Sequence, residues 1–74
     1  ETVHLAGDFN GWNRHSHPLT RSKNDDTWEI TLELDADKAY QFRYLVNHAH
    51  WQNDWNADRY VPNPFGGDNS VLET

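Results

Sequence analysis

The chain has 74 residues and carries six Lys plus Arg against twelve Asp plus Glu, a formal charge of −6. That length holds one domain spanning residues 1–74, and a domain so small buries only about 60% of its unfolded surface. The acidic balance argues against a polyanionic partner such as nucleic acid or an anionic membrane. The absence of cysteine excludes disulfides, thiolate metal sites and a cysteine nucleophile. No apolar run approaches the roughly 20 residues that span a bilayer, and no signal-peptide pattern opens the chain. The chain reads as a soluble domain, and a cytoplasmic location is expected, although missing targeting segments say little about where a parent protein lives. The chain starts at Glu1 rather than methionine and its strand-like residues follow at once, so it is expected to be a piece of a longer protein.

In chain order, Val3 and Leu5 flank His4 as a short strand, followed by turn signals at Asn10-Gly11, His17-Pro18 and Asn24-Asp25-Asp26. Trp28, Ile30, Leu32 and Leu34 alternate with Glu29, Thr31 and Glu33, the period of a strand with one apolar face. Trp28 is in register with Ile30 and Leu32, which makes it core. Asp35-Ala36-Asp37 is a further turn signal, and residues 35–39 have room for a helical turn. Tyr40, Phe42, Tyr44 and Val46 form the next apolar face, with Gln41 and Arg43 on the other side and Leu45 as an apolar exception there. Residues 53–67 read as a long ordered loop with an extended piece at Arg59–Val61, ending in Pro62-Asn63-Pro64-Phe65-Gly66-Gly67. Val71–Thr74 is a closing strand. With no helical period, short one-faced strands must pack as two sheets, so a small antiparallel β-sandwich is expected.

Two tryptophans stand apart from this alternation. Trp12 and Trp51 each follow turn residues, so they are either presented to solvent or folded back as lids on the sandwich. If presented, they suit sugars, because the C–H face of a pyranose lies on an indole while its rim hydroxyls require hydrogen bonds. Arg43 supplies a fork of donors for vicinal hydroxyls or stands as a solvated charge beside Glu29 or Glu33. Asn69 can bond a hydroxyl or close its own turn. The pairs His15/His17 and His48/His50 could each offer two imidazoles to a metal, but a closed site needs more ligands, so no metal is expected. The carboxylate pairs Asp25/Asp26, Asp35/Asp37 and Asp54/Asp58 suit turn and loop caps better than glycoside hydrolysis, which needs a cleft to distort sugar. No phosphate loop, nucleophile elbow or zinc-protease motif is present. Neither catalysis nor a cofactor is expected.

The stretches Val3-His4-Leu5-Ala6-Gly7-Asp8-Phe9-Asn10-Gly11-Trp12, Pro18-Leu19-Thr20-Arg21, Phe42-Arg43-Tyr44-Leu45-Val46 leading to Trp51, and Asn69-Ser70-Val71 together resemble the glycogen-binding module family. That family includes the glycogen-binding domain of the AMP-activated kinase β subunit and the N-terminal early-set domains of isoamylases and branching enzymes. The ending from Pro62 to Val71 is most similar to the bacterial isoamylase-like branch. The resemblance implies an immunoglobulin-like (early-set) sandwich that binds α-1,4-glucan, such as glycogen, starch or maltooligosaccharide, without hydrolysing it. It implies stacking of glucose on Trp12 and Trp51, hydroxyl contacts from Arg43 and Asn69, and an apolar edge from Phe65 where the kinase module has leucine.

The chain also departs from the family. Its hairpin at Asn47-His48-Ala49-His50 is a residue longer than the usual Asp-Gly turn, Gly67 stands in place of a sugar-contacting threonine, and Trp55 has no counterpart. The strand that usually precedes Val3 is nearly absent, which leaves an open sheet edge for a protein partner or a second copy. The altered hairpin fits an alternative reading, an interaction or spacer domain without sugar binding that is an accessory part of a glucan-processing enzyme.

Overall fold

The computed structural model describes residues 1–24 and 26–74; Asp25, part of the third turn signal and of one carboxylate pair, lies outside them. The fold is all-β, with strands β1 (Val3–Gly7), β2 (Thr20–Arg21), β3 (Trp28–Glu29), β4 (Ala39–Val46), β5 (His50–Gln52), β6 (Arg59–Pro62) and β7 (Asp68–Glu73). A five-stranded antiparallel sheet and a two-stranded sheet of β2 and β3 make a small sandwich that does not close into a barrel.

β4 organises the larger sheet. Its alternation of aromatic and polar residues gives it two usable faces, and β1 pairs along one edge from Val3↔Val46 to Gly7↔Phe42. The opposite edge is divided end to end. β5 takes Tyr44, Leu45 and Val46, β7 takes Ala39 to Phe42, and Arg43 falls between the two ladders. Directly opposed residues share a face of a sheet. Val3, Leu5, Phe42, Tyr44 and Val46 therefore lie on the face towards Trp28 and Leu19, while His4, Ala6, Arg43, Leu45 and Trp51 lie on the other.

Both faces contribute to the core, whose buried apolar side chains among the described residues are Val3, Leu5, Ala6, Phe42, Leu45 and Val71. Leu45, apolar on the outward side, is only 2% exposed because His4 and Trp51 flank it in register. Its covering is possible because the outward face carries its own layer of loops.

Four expectations from sequence are corrected. Residues 28–34 keep their alternation, half-buried at Trp28, Ile30, Leu32 and Leu34 and exposed between, but strand pairing stops at Glu29. Apolar patterning decides which side faces inward, whereas a ladder needs a neighbour, and β2 reaches only two residues. Trp28 itself is half-buried, lining an open gap between the layers with Val3, Tyr44 and Val46. Residues 35–39 bend rather than form a helical turn, with Asp37 at φ 59° and the Thr74 hydroxyl donating to the Asp35 carbonyl at 2.6 Å. Finally, the edge of β1 is partly covered by the chain's own residues 17–19, through Leu5 N–H to His17 O (2.9 Å) and Leu19 N–H to Val3 O (2.8 Å).

Candidate functional site

The loop after β1 is tied down by its polar residues. Asp8–Asn10 forms one 3-10 turn, and Gly11 closes it in the left-handed region at φ 63°. The Asn10 side chain accepts the Gly7 N–H at 3.0 Å and donates to the Leu5 carbonyl at 3.0 Å. Asp8 Oδ2 accepts the Gln41 backbone N–H at 2.9 Å, fastening the turn to β4. Phe9 meets His17 edge-on with centroids 5.6 Å apart. Trp12 emerges with φ 60°, its backbone N–H donating to Gly7 O at 2.9 Å. A side chain as large as tryptophan is an uncommon occupant of that backbone region.

Trp51 comes from the other side. It lies on β5 opposite Leu45, presented by a hairpin in which Asn47 and His48 both have positive φ, 53° and 58°. The two left-handed residues accommodate the extra hairpin length without breaking the pairing of Val46 with His50.

Trp12, Trp51, Arg43, Asn69 and Phe65 line a single cavity of about 600 Å³ on the outward face. Both tryptophans are half-buried there, so each ring is partly supported and partly open. Phe65 stands 95% exposed at the rim, in the 62–67 loop that Asn63 holds by accepting the N–H groups of Phe65 (2.9 Å) and Gly67 (3.3 Å). Asn69 is 8% exposed and already engaged: it donates to Gln41 Oε1 at 3.1 Å and accepts from Asn63 Nδ2 at 3.2 Å. Its amide braces two other residues of the cavity floor. Trp55, 93% exposed, lies away from this cavity and borders the gap between the layers.

Sequence reasoning missed Arg14. Its guanidinium carbon lies 5.6 Å from the centroid of the Trp51 ring, and that of Arg43 lies 5.9 Å from the same centroid. An arginine in a loop without periodicity carries no register to show which way it turns. Gln41 and Asn63 were missed too, although Gln41 shares its face of β4 with Arg43.

Three histidines gather beside this cavity. The ring of His4 on β1 lies 4.7 Å from that of His48 in the hairpin and 6.3 Å from that of His15 in the Trp12 loop, with His15 and His48 5.6 Å apart. His4 Nδ1 is buried without a hydrogen-bond partner, and the His4 pKa is lowered from 6.5 by desolvation first and then by His48 and His15. The histidines meet across segments rather than in the sequence pairs 15/17 and 48/50. Among the described residues no group of His, Cys, Asp or Glu is arranged to hold a metal ion.

Residues 1–66 match the family model of carbohydrate-binding module 48, the isoamylase N-terminal domain. The chain belongs to this family. Module 48 relatives include a 1,4-alpha-glucan branching enzyme of Butyrivibrio fibrisolvens, 33% identical over 59 residues, which cover 80% of this chain and 9% of that enzyme. Similar proteins of the same name occur in Rhodopirellula baltica (32% over 53 residues; 70% of this chain, 7% of the enzyme) and Novosphingobium aromaticivorans (33% over 60 residues; 80% and 8%). The module thus spans less than a tenth of the length of these relatives. Its family is one of carbohydrate-binding modules, which agrees with a pair of aromatic rings beside polar donors in an open cavity. Among the described residues no helix is long and apolar enough to cross a membrane.

Proposed function

We propose that this module binds α-1,4-glucan without hydrolysing it, holding successive glucose rings on Trp12 and Trp51. The observation that carries the reading is the convergence of these two rings and Arg43 on one open cavity, although Arg43 and Trp51 lie 31 and 39 positions after Trp12 in the sequence. An indole face attracts the C–H face of a pyranose, and the Arg43 guanidinium offers donors to hydroxyls around it. Asn69 contributes by orienting Gln41 and Asn63, and through its remaining amide hydrogen; Phe65 adds an apolar edge at the rim. A platform of this kind gives modest affinity, on the order of millimolar to micromolar, or about −4 to −8 kcal/mol. The similarity to branching enzymes supports a role as an accessory binding domain of a glucan-processing protein.

A second reading, an interaction domain within a longer chain, is favoured by a different observation: the exposed Trp55 beside the gap lined by Leu19 and Trp28. An NMR titration of the indole N–H signals with maltoheptaose, with cellohexaose as control, separates them. Saturable shifts at Trp12 and Trp51 with the α-glucan alone are expected, and Trp12→Ala abolishes them. No shift at millimolar maltoheptaose would overturn glucan binding and leave the interaction reading.

A further inference from the structure

The six basic residues are Arg14, Arg21, Lys23, Lys38, Arg43 and Arg59. Among the described residues, Arg21, Lys38 and Arg59 form ion pairs with Asp26, Asp35 and Glu73. Arg14 and Arg43 appear in no such pair, and both line the cavity and approach the same indole, that of Trp51. Arg43 also has a buried Nε without a hydrogen-bond partner. Arg14 is exposed and Arg43 half-buried, and the desolvated, unused donor of Arg43 is costly unless an acceptor joins it. The one carboxylate among the lining residues, Asp8, has an oxygen bound to the Gln41 backbone N–H.

We propose that the cavity selects an α-glucan carrying a phosphate monoester, with Arg14 and Arg43 as its receptor. This inference rests on the glucan-binding reading and names the ligand's charge. A phosphate monoester carries about −1.5 to −2 at pH 7 and three acceptor oxygens, which balances two guanidinium groups. Guanidinium matches phosphate geometry with parallel N–H donors. A neutral glucan offers hydroxyls to these donors but brings no charge, leaving Asp8 to offset the two guanidinium groups only in part. The cavity spans about 600 Å³, which has space for ring and ester together. The chain's overall charge of −6 repels long polyanions, but beyond about 8 Å such repulsion is screened at physiological ionic strength, whereas contact with two arginines is local.

Calorimetric titration of the chain at pH 7.5 with maltoheptaose, with maltoheptaose bearing one 6-phosphate, and with inorganic phosphate tests this. The expected result is at least about tenfold tighter binding of the phosphorylated glucan at low salt, an advantage that shrinks as salt rises, with inorganic phosphate far weaker than either. Arg14→Gln should lower the ratio of the two glucan affinities severalfold, leaving the preference that Arg43 supplies; an unchanged ratio would overturn the role of Arg14. Equal affinities in the unaltered chain would overturn the inference while leaving glucan binding intact. Phosphate alone binding as tightly as the phosphorylated glucan would overturn it in favour of a free-anion site. Failure of both glucans would overturn the glucan-binding reading and this inference together.

Discussion

Trp12 keeps a left-handed backbone at φ 60° directly after a glycine that does the same. A conformation of this kind costs a bulky residue about 1–3 kcal/mol and persists where surrounding structure enforces it. Here Asn10 and the Trp12 N–H bond to Gly7 enforce it. Replacement by glycine removes the strain along with the ring, so Trp12→Gly should leave the melting temperature within a few degrees while weakening maltoheptaose binding at least about tenfold. A loss of binding accompanied by a large drop in melting temperature would instead make the indole a structural lid. His4 supports a separate expectation. Its folded pKa lies below 6.5, so the unfolded chain takes up the proton first as pH falls. The contribution to stability is intact above about pH 6.5 and declines as pH drops below it. Histidine NMR should show a midpoint for His4 below 6.5, moving upward in His48→Gln. A midpoint unaffected by that substitution would remove the neighbouring imidazole as a cause.

At the scale of elements, the loop between β1 and β2 depends on side chains that the sequence displayed only as turn signals. Asn10→Ala strips a partner from the Gly7 N–H and the Leu5 carbonyl, and should cost about 1–2 kcal/mol in urea unfolding while broadening the Trp12 indole signal. Gly7 is equally constrained, for a reason other than φ. A Cβ there would collide with the Gln41 carbonyl oxygen and lie 2.8 Å from a Phe9 ring carbon and 2.9 Å from Phe42 Cβ. Gly7→Ala should therefore destabilise by about 1–3 kcal/mol, measured by the same unfolding. The sequence made β1 and β4 legible because alternation reports directly on a half-buried face. It made Trp12, Trp51 and Arg43 legible because rings and charges beside turns and on an outer face are conspicuous. Arg14, the braced Asn69 and the three-histidine cluster were hidden, since each depends on which loop folds over which strand. Residues 28–34 failed in the opposite sense: their pattern was strong, but pairing depends on a partner that no pattern within the segment specifies.

Across the whole molecule, the two layers are unequal. The larger sheet holds most of the buried side chains, while β2 and β3 pair over two residues and leave Ile30, Leu32 and Leu34 half-exposed. Local opening should reflect this inequality. Amide hydrogen exchange is expected to be fast over residues 30–34 and slowest at Phe42, Leu45 and Val71; uniform protection across both layers would contradict it. The divided edge of β4 has a consequence in time as well. Arg43 lies between β5 and β7, and the cavity takes its walls from the Trp12 loop, the Trp51 hairpin and the Asn63–Asn69 segment. During synthesis, at roughly 5–20 residues per second, the Trp12 loop emerges long before β4 is available to receive it. The last wall appears only as β7 leaves the ribosome, so a nascent chain displays no finished cavity until strands β1 to β7 have all emerged.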